Sequence, residues 1–203
     1  MGRPGMGDGR LPAVFPDWSP YSDLESAARA YLRDPDLALE ALAEVLPAGR
    51  AALADSAGVA GGVLSFTLER FVNETNGVWQ EVAVCDGSRL VLWHGEDVTA
   101  EDSPGGAMTS SLRVVPLSNV AEVGSRRRIQ RGPDGAAVVD AIDVYVLLQS
   151  LDDGPARTDE PGAPPVRQDV LRFVKTIEDG GAGQIARLAE FARTVCALIG
   201  RPL

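Results

Sequence analysis

The hydrophobic positions divide the chain near Gly62 into a helical part and an extended part. Before that point, Leu24, Ala27, Ala28, Tyr31 and Leu32 recur at helical spacing. They predict a helix over Ser22–Arg33, with Ser22 as N-cap and Glu25 completing a capping box. Pro35, at a first helical position, opens a second helix, Asp36–Leu46, which carries Leu37, Leu39, Leu42 and Leu46 until Pro47 stops it. An Ala-rich piece runs on to Ala57, and Gly58, Gly61 and Gly62 mark the change of period. Ahead of these helices, the Gly- and Pro-rich residues 1–19 read as an arm anchored by Phe15 and Trp18.

Seven extended runs follow: Val63–Asn73, Val78–Asp86, Arg89–Glu96, Thr109–Pro116, Asn119–Arg131, Ala137–Gln149 and Val166–Glu178. The second and third flank Asp86-Gly87-Ser88, the signature of a hairpin. With Gly87 and Ser88 as the loop pair, Val82 and Val84 share a face with Val91 and Trp93, while Ala83 and Cys85 oppose Leu92 and Leu90. Placing the loop at Asp86-Gly87 would set Gln80 against Trp93 and scatter the apolar groups, so the first register is preferred. Both faces of this hairpin are apolar, which predicts cover on each side. The connections Asp97–Met108 and Asp152–Pro165 are expected to be surface loops.

The last element is a helix from about Gly183 to Gly200. Ile185, Leu188, Ala189, Ala192, Val195, Cys196 and Ile199 form its apolar face, flanked by Phe191 and Leu198, with Arg187, Glu190, Arg193 and Thr194 turned away. So wide a face must cover something large, and a curved sheet with an open end suits it. The two N-terminal helices are too short to stand alone. They are expected to dock in cis on the sheet, closing one face to ligands.

Charge narrows the possible partners. The formal net charge is −10, spread as −4 over residues 1–60, −3 over 61–135 and −3 over 136–203. Without a basic third, the chain repels phosphate backbones and anionic surfaces, so nucleic acid is not expected. Of the 19 basic residues, Lys175 alone is lysine, a bias that reads as genome composition. Cys85 and Cys196 sit among apolar neighbours and read as small buried hydrophobes. A membrane span and a secretory apolar stretch are both missing, so a soluble cytoplasmic protein is expected.

Seven antiparallel strands followed by one amphipathic helix is an order that resembles a pleckstrin-homology-like domain. The segment CDGSRLVLWHGED is similar to the second-to-third-strand hairpin of bacterial pleckstrin-homology and GRAM-type domains, and MTSSLRVVPLSNVAEV, Met108 to Val123, to their fourth and fifth strands. With AEVLP near Glu44, the chain also resembles an uncharacterised family of small bacterial proteins that has no assigned activity. The resemblance implies an α+β fold: a seven-stranded, antiparallel, partly open barrel capped by a C-terminal helix over residues 59–203, preceded by an arm and helical extension over residues 1–58. Phosphoinositide-binding members carry basic residues in and around the first inter-strand loop. Here that loop is Glu74-Thr75-Asn76-Gly77, so phosphoinositide membrane binding is not expected.

Candidate chemistry is sparse. Arg126, Arg128 and Arg131, with Arg127 between, form the one basic cluster and could hold an anion, or simply be the solvated end of a strand before the Gly132-Pro133-Asp134-Gly135 turn. His94, the single histidine, could act as a general base near Glu96 or Asp97, yet no nucleophile elbow or triad spacing accompanies it. Asp97, Glu101, Asp102 and Asp152-Asp153 match no EF-hand spacing, and no metal or cofactor is expected. Gly180-Gly181-Ala182-Gly183 opens a helix but follows Glu178 and Asp179, which suits a turn better than a phosphate cradle. The reading is a noncatalytic interaction module acting through a protein partner or self-association. Its alternative is a small hydrolase-type enzyme using His94 and nearby carboxylates; a deep pocket holding His94 with two carboxylates would mark the enzyme, an exposed His94 the module.

Overall fold

The structure, a computed structural model, describes residues 15–54, 62–99, 101–103, 106–132, 134–149 and 170–199. The expected boundary at residues 58/59, most of the arm, and the Asp152–Pro165 connection lie outside the described residues.

The described chain is α+β: helices α1 (Leu24–Tyr31), α2 (Pro35–Val45) and α3 (Ala51–Ala54), seven strands, and a final helix α4 (Gly181–Leu198). Strands β1 (Ser65–Val72), β2 (Val78–Cys85), β3 (Arg89–Asp97) and β4 (Met108–Pro116) form one antiparallel sheet in that order. Strands β5 (Val120–Arg131), β6 (Ala137–Leu148) and β7 (Val170–Thr176) form a second, also antiparallel. Neither sheet closes on itself. No helix among the described residues is long and apolar enough to cross a membrane.

The β2–β3 hairpin takes the preferred register, with Val82 opposite Trp93, Ala83 opposite Leu92, Val84 opposite Val91 and Cys85 opposite Leu90. Its turn closes through Asp86, whose Oδ1 accepts from the backbone N–H groups of Ser88 and Arg89 at 2.9 and 2.8 Å, with Gly87 at φ 95°, a conformation that favours glycine. The two apolar faces then go to two different cores. Val82, Val84, Val91 and Trp93, joined by Phe66 and Leu68, pack against Trp18, Leu24, Ala28, Tyr31, Leu39 and Leu42 of the N-terminal layer. Ala83, Cys85, Leu90 and Leu92 pack against Ile142, Val144, Val146 and Phe173 of the second sheet and Leu188, Phe191 and Val195 of α4. The helices therefore dock in cis, on the outer face of the first sheet.

Polar contacts fix that layer. Gln80, fully buried, accepts from the Arg33 N–H at 3.1 Å and donates to Asp34 Oδ2 at 2.6 Å, while Arg33 grips Asp97 with two bonds of 2.6 and 2.5 Å. The α1 cap differs from expectation: Asp23, not Ser22, is the N-cap, its Oδ1 accepting from Ser26 N–H at 2.8 Å. Leu37, expected on the apolar stripe, is exposed, because the stripe of α2 that meets the sheet is Ala38, Leu39 and Leu42.

Helix α4 lies against strands of both sheets, burying Ile185, Leu188, Phe191, Ala192 and Val195. Two side chains depart from the helical wheel. Cys196 is exposed, at the mouth of a groove between the helix and β5. Arg187 is folded inward: its guanidinium lies 4.9 Å from the Phe66 ring centroid and 5.7 Å from that of Trp18, and it donates to the Tyr21 carbonyl at 3.3 Å. Together with Gln184, which donates to the Pro16 carbonyl at 3.2 Å, it holds residues 16–21 across the first turns of the helix. That strap passes close to Gly183, where a Cβ would meet the Ser19 side chain.

Leu188 is completely buried between the sheets. Replacing it with Asp would strand a carboxylate in the core and cost several kcal/mol. Thermal melting of the purified Leu188→Asp protein is expected to show a large drop in Tm or no cooperative transition; an unchanged Tm would contradict this packing.

Candidate functional site

The ladders place the sequence candidates separately. His94 lies on the face of β3 turned toward the second sheet, its side chain 30% exposed, with its Nε2 3.5 Å from Glu96 and its ring edge-on to Trp79 at 5.4 Å. The register sets Ser111, His94, Glu81 and Glu69 in one row across β4, β3, β2 and β1. The residue types suit acid–base work, but His94 makes no hydrogen bond to Ser111 or to Glu81. A nucleophile joined to its base is what such chemistry needs. The row is aligned by register and is not assembled as a triad.

The carboxylates of this row carry consequences for pH. Burial raises Glu81 to about 7, and no hydrogen bond offsets it. Burial raises Glu69 to about 8, with Glu81 across the ladder adding to it and Lys175 and the Val174 N–H opposing it. Glu69 Oε1 accepts from that Val174 N–H at 2.5 Å, which links β1 of one sheet to β7 of the other. Beside it, the Lys175 side chain is completely buried. Its Nζ donates to Tyr31 Oη at 3.1 Å and to Asp179 Oδ2 at 3.3 Å, and sits 5.0 Å from the centre of the Tyr31 ring. Burial, with Asp179 and Glu69 nearby, pushes the Tyr31 hydroxyl far above its ordinary value. A buried charge demands such partners. Strand parity was the available signal for this lysine: Leu171, Phe173 and Lys175 share one face.

The basic cluster divides as alternation requires. Arg128 Nε donates to both oxygens of Asp140 at 2.9 Å, holding that carboxyl below its usual range, and Gln130 reaches the same carboxylate. Arg126 approaches Asp143 at 3.7 Å, but Asp143 belongs first to Arg172 at 2.5 Å. These pairs lie on the outer face of the second sheet, and Arg131 stands exposed at the strand end. Arg126, Arg127 and Arg128 border one groove of about 370 Å³ together with Asp143, and two of them, Arg126 and Arg128, already have carboxylate partners. Arg127, opposite Ile142, points to the other face.

There it lines a groove of about 380 Å³ between β5 and α4, whose walls include Val123, Gly124 and Ser125 on the strand and Ala189, Ala192, Arg193 and Cys196 on the helix. β5 is an outer strand of its sheet, so one backbone edge is not taken by a ladder. Gly124 is needed there because Tyr145 lies across it, its Oη donating to Glu122 at 2.7 Å; a Cβ on residue 124 would meet the Tyr145 ring at 2.1 Å. Arg127 and Arg193 carry no ion pair among the described residues, unlike Arg126 and Arg128. Sequence reasoning missed this groove, since it depends on how the exposed side of α4 faces β5.

Among the acidic loop residues, Asp97 is committed to Arg33, which holds its carboxyl below the usual range, and Asp102 accepts from Thr99 Oγ1 at 2.6 Å. No group of three or more His, Cys, Asp or Glu side chains is placed to hold a metal among the described residues. Asp152 and Asp153 lie outside them. Comparison with protein-family models, with curated proteins and with solved structures yields no match.

Because the folded state binds the Glu81 proton more tightly than the unfolded chain does, this group stabilises below its ordinary value of 4.5 and loses that contribution as pH rises through about 7. Glu69 acts in the same direction up to about 8. Glu81→Gln should therefore raise the Tm at pH 8, leave it little changed at pH 4.5, and flatten the pH dependence between. A Tm at pH 8 equal to or below that of the parent protein would contradict the burial of this carboxylate.

Proposed function

We propose that this chain is a noncatalytic interaction module of pleckstrin-homology-like architecture that binds a protein partner through the groove between β5 and α4. The architecture is supported by the 4+3 arrangement of consecutive antiparallel strands and by a final helix that touches both sheets. A partly open barrel plugged by α4 accounts for both features, and the bacterial pleckstrin-homology and GRAM-type resemblance suits them. The observation that carries the function is the groove: an unladdered strand edge beside an apolar, small-residue helix face, lined by two arginines without ion pairs.

The other surfaces argue for this choice. The outer face of the first sheet is occupied by the chain's own helices. The β1–β2 loop presents Glu74 and no basic residue, and Asn73 Oδ1 ties it down by accepting from Thr75 and Gly77 N–H at 3.0 and 2.7 Å, so a phospholipid headgroup finds no counter-charge there. The hydrolase reading rests on His94, which is neither held in a deep pocket with two carboxylates nor fully exposed, and which lacks a bonded nucleophile.

Ala192→Trp would fill the groove. In affinity enrichment from native lysate, the protein retained by the parent chain is expected to be lost with Ala192→Trp and kept with Arg126→Glu, which changes the opposite face. Equal enrichment with Ala192→Trp, given an unchanged Tm, would overturn the assignment of the groove.

A further inference from the structure

We infer that the occupant of the groove is an extended acidic peptide segment of a partner protein, added as a strand along β5 with its carboxylates between Arg127 and Arg193. This rests on the assignment of the groove to partner binding and specifies the chemistry of what enters it.

The shape favours an extended chain. The strand wall, Val123 to Arg127, is five residues long, about 16 Å at strand rise, against a groove of about 380 Å³. That space suits a short run of extended backbone with alternate small side chains directed at the floor. The floor is Val123, Ala189, Ala192 and Ala197, so it has no deep aromatic socket for a single anchoring ring. An outer strand beside such a floor offers backbone donors and acceptors in the spacing that an added strand needs.

Charge supplies the selectivity. The chain is strongly acidic, and Arg126, Arg128 and Arg172 are all neutralised by Asp140 or Asp143 of their own sheet. Arg127 and Arg193 come from different elements, line the same groove and have no carboxylate partner among the described residues. Protection of an exposed strand edge from other chains would require charge on β5 alone. It does not account for a second arginine without an ion pair on α4, lining the same groove.

Cys196 Sγ lies 4.0 Å from the Val123 carbonyl, which sets the last turns of α4 against the start of this strand segment. Arg127 lies four residues beyond Val123 on β5, and Arg193 lies beside Ala192 on α4, so the charged and the small apolar lining residues are interleaved. The recognised segment should therefore carry Asp or Glu together with small apolar residues on the same face of the added strand.

The test is selection of random nine-residue peptides displayed on phage against the full-length chain, against Arg127→Glu/Arg193→Glu, and against Arg126→Glu as control, followed by fluorescence titration of the selected peptides at two salt concentrations. Enrichment of Asp or Glu beside small apolar residues is expected on the parent and on Arg126→Glu, with affinity that falls as salt rises. The double variant should bind those peptides about tenfold or more weakly and select Lys or Arg instead. Peptides without acidic enrichment that are nevertheless lost on Ala192→Trp would overturn the acidic occupant while leaving the groove assignment standing. No selected peptides, alongside a lysate partner still lost on Ala192→Trp, would overturn the extended segment in favour of a folded surface. Self-association of the purified chain that disappears with the double variant would replace the partner by a second copy.

Discussion

A hairpin that is apolar on both faces cannot be satisfied by one layer, and the organisation of this chain follows from that constraint. Val82, Val84, Val91 and Trp93 look one way, Ala83, Cys85, Leu90 and Leu92 the other, and all eight are buried. At roughly 25 cal/mol per Å² of apolar area removed from water, neither face could be left to solvent without a substantial loss. The chain supplies both covers itself: the N-terminal helices on one side, the second sheet and α4 on the other. The hairpin is thus a wall shared by two cores. With the opposite side of the first sheet already in use, the β5–α4 groove is the surface we propose for docking.

The layers are joined by polar contacts placed where apolar packing alone would let them slide. Lys175 links β7 to α1 through Tyr31 and to the following turn through Asp179, and Glu69 links β1 to β7 through the Val174 N–H. Such buried ionic contacts are weak sources of net stability but strict about geometry. The raised proton affinities of Glu69 and Glu81 share one cause, burial on the face turned toward the second sheet, to which the Glu81 charge across the ladder adds for Glu69.

Much of the fold was legible in the residues themselves. Alternation in Val82–Cys85 against Leu90–Trp93 determines the hairpin register, because a one-residue slip would turn the whole apolar set to the wrong side. Helical spacing in Leu24–Tyr31 and Ile185–Val195 likewise identifies the buried faces. What escaped were features decided by tertiary context. Asp23 caps α1 where Ser22 looked adequate; Arg187 is drawn inward by the Trp18 and Phe66 rings; Cys196 is left exposed at the groove between α4 and β5. The presence of Arg127 and Arg193 on one groove belongs to this class too. Adjacent Arg126, Arg127 and Arg128 look equivalent in the chain, and only the sheet's own Asp140 and Asp143 show which of them is left unpaired.

The central claim is that the N-terminal helices are one of two obligatory covers of the β2–β3 hairpin. A chain lacking residues 1–57 removes that cover alone. Sedimentation velocity together with thermal melting of this truncated protein is the direct measurement, and aggregation or a markedly lowered Tm is predicted as Phe66, Val82, Val84, Val91 and Trp93 become exposed. A truncated protein that stays monomeric, soluble and as stable as the full chain would contradict the account.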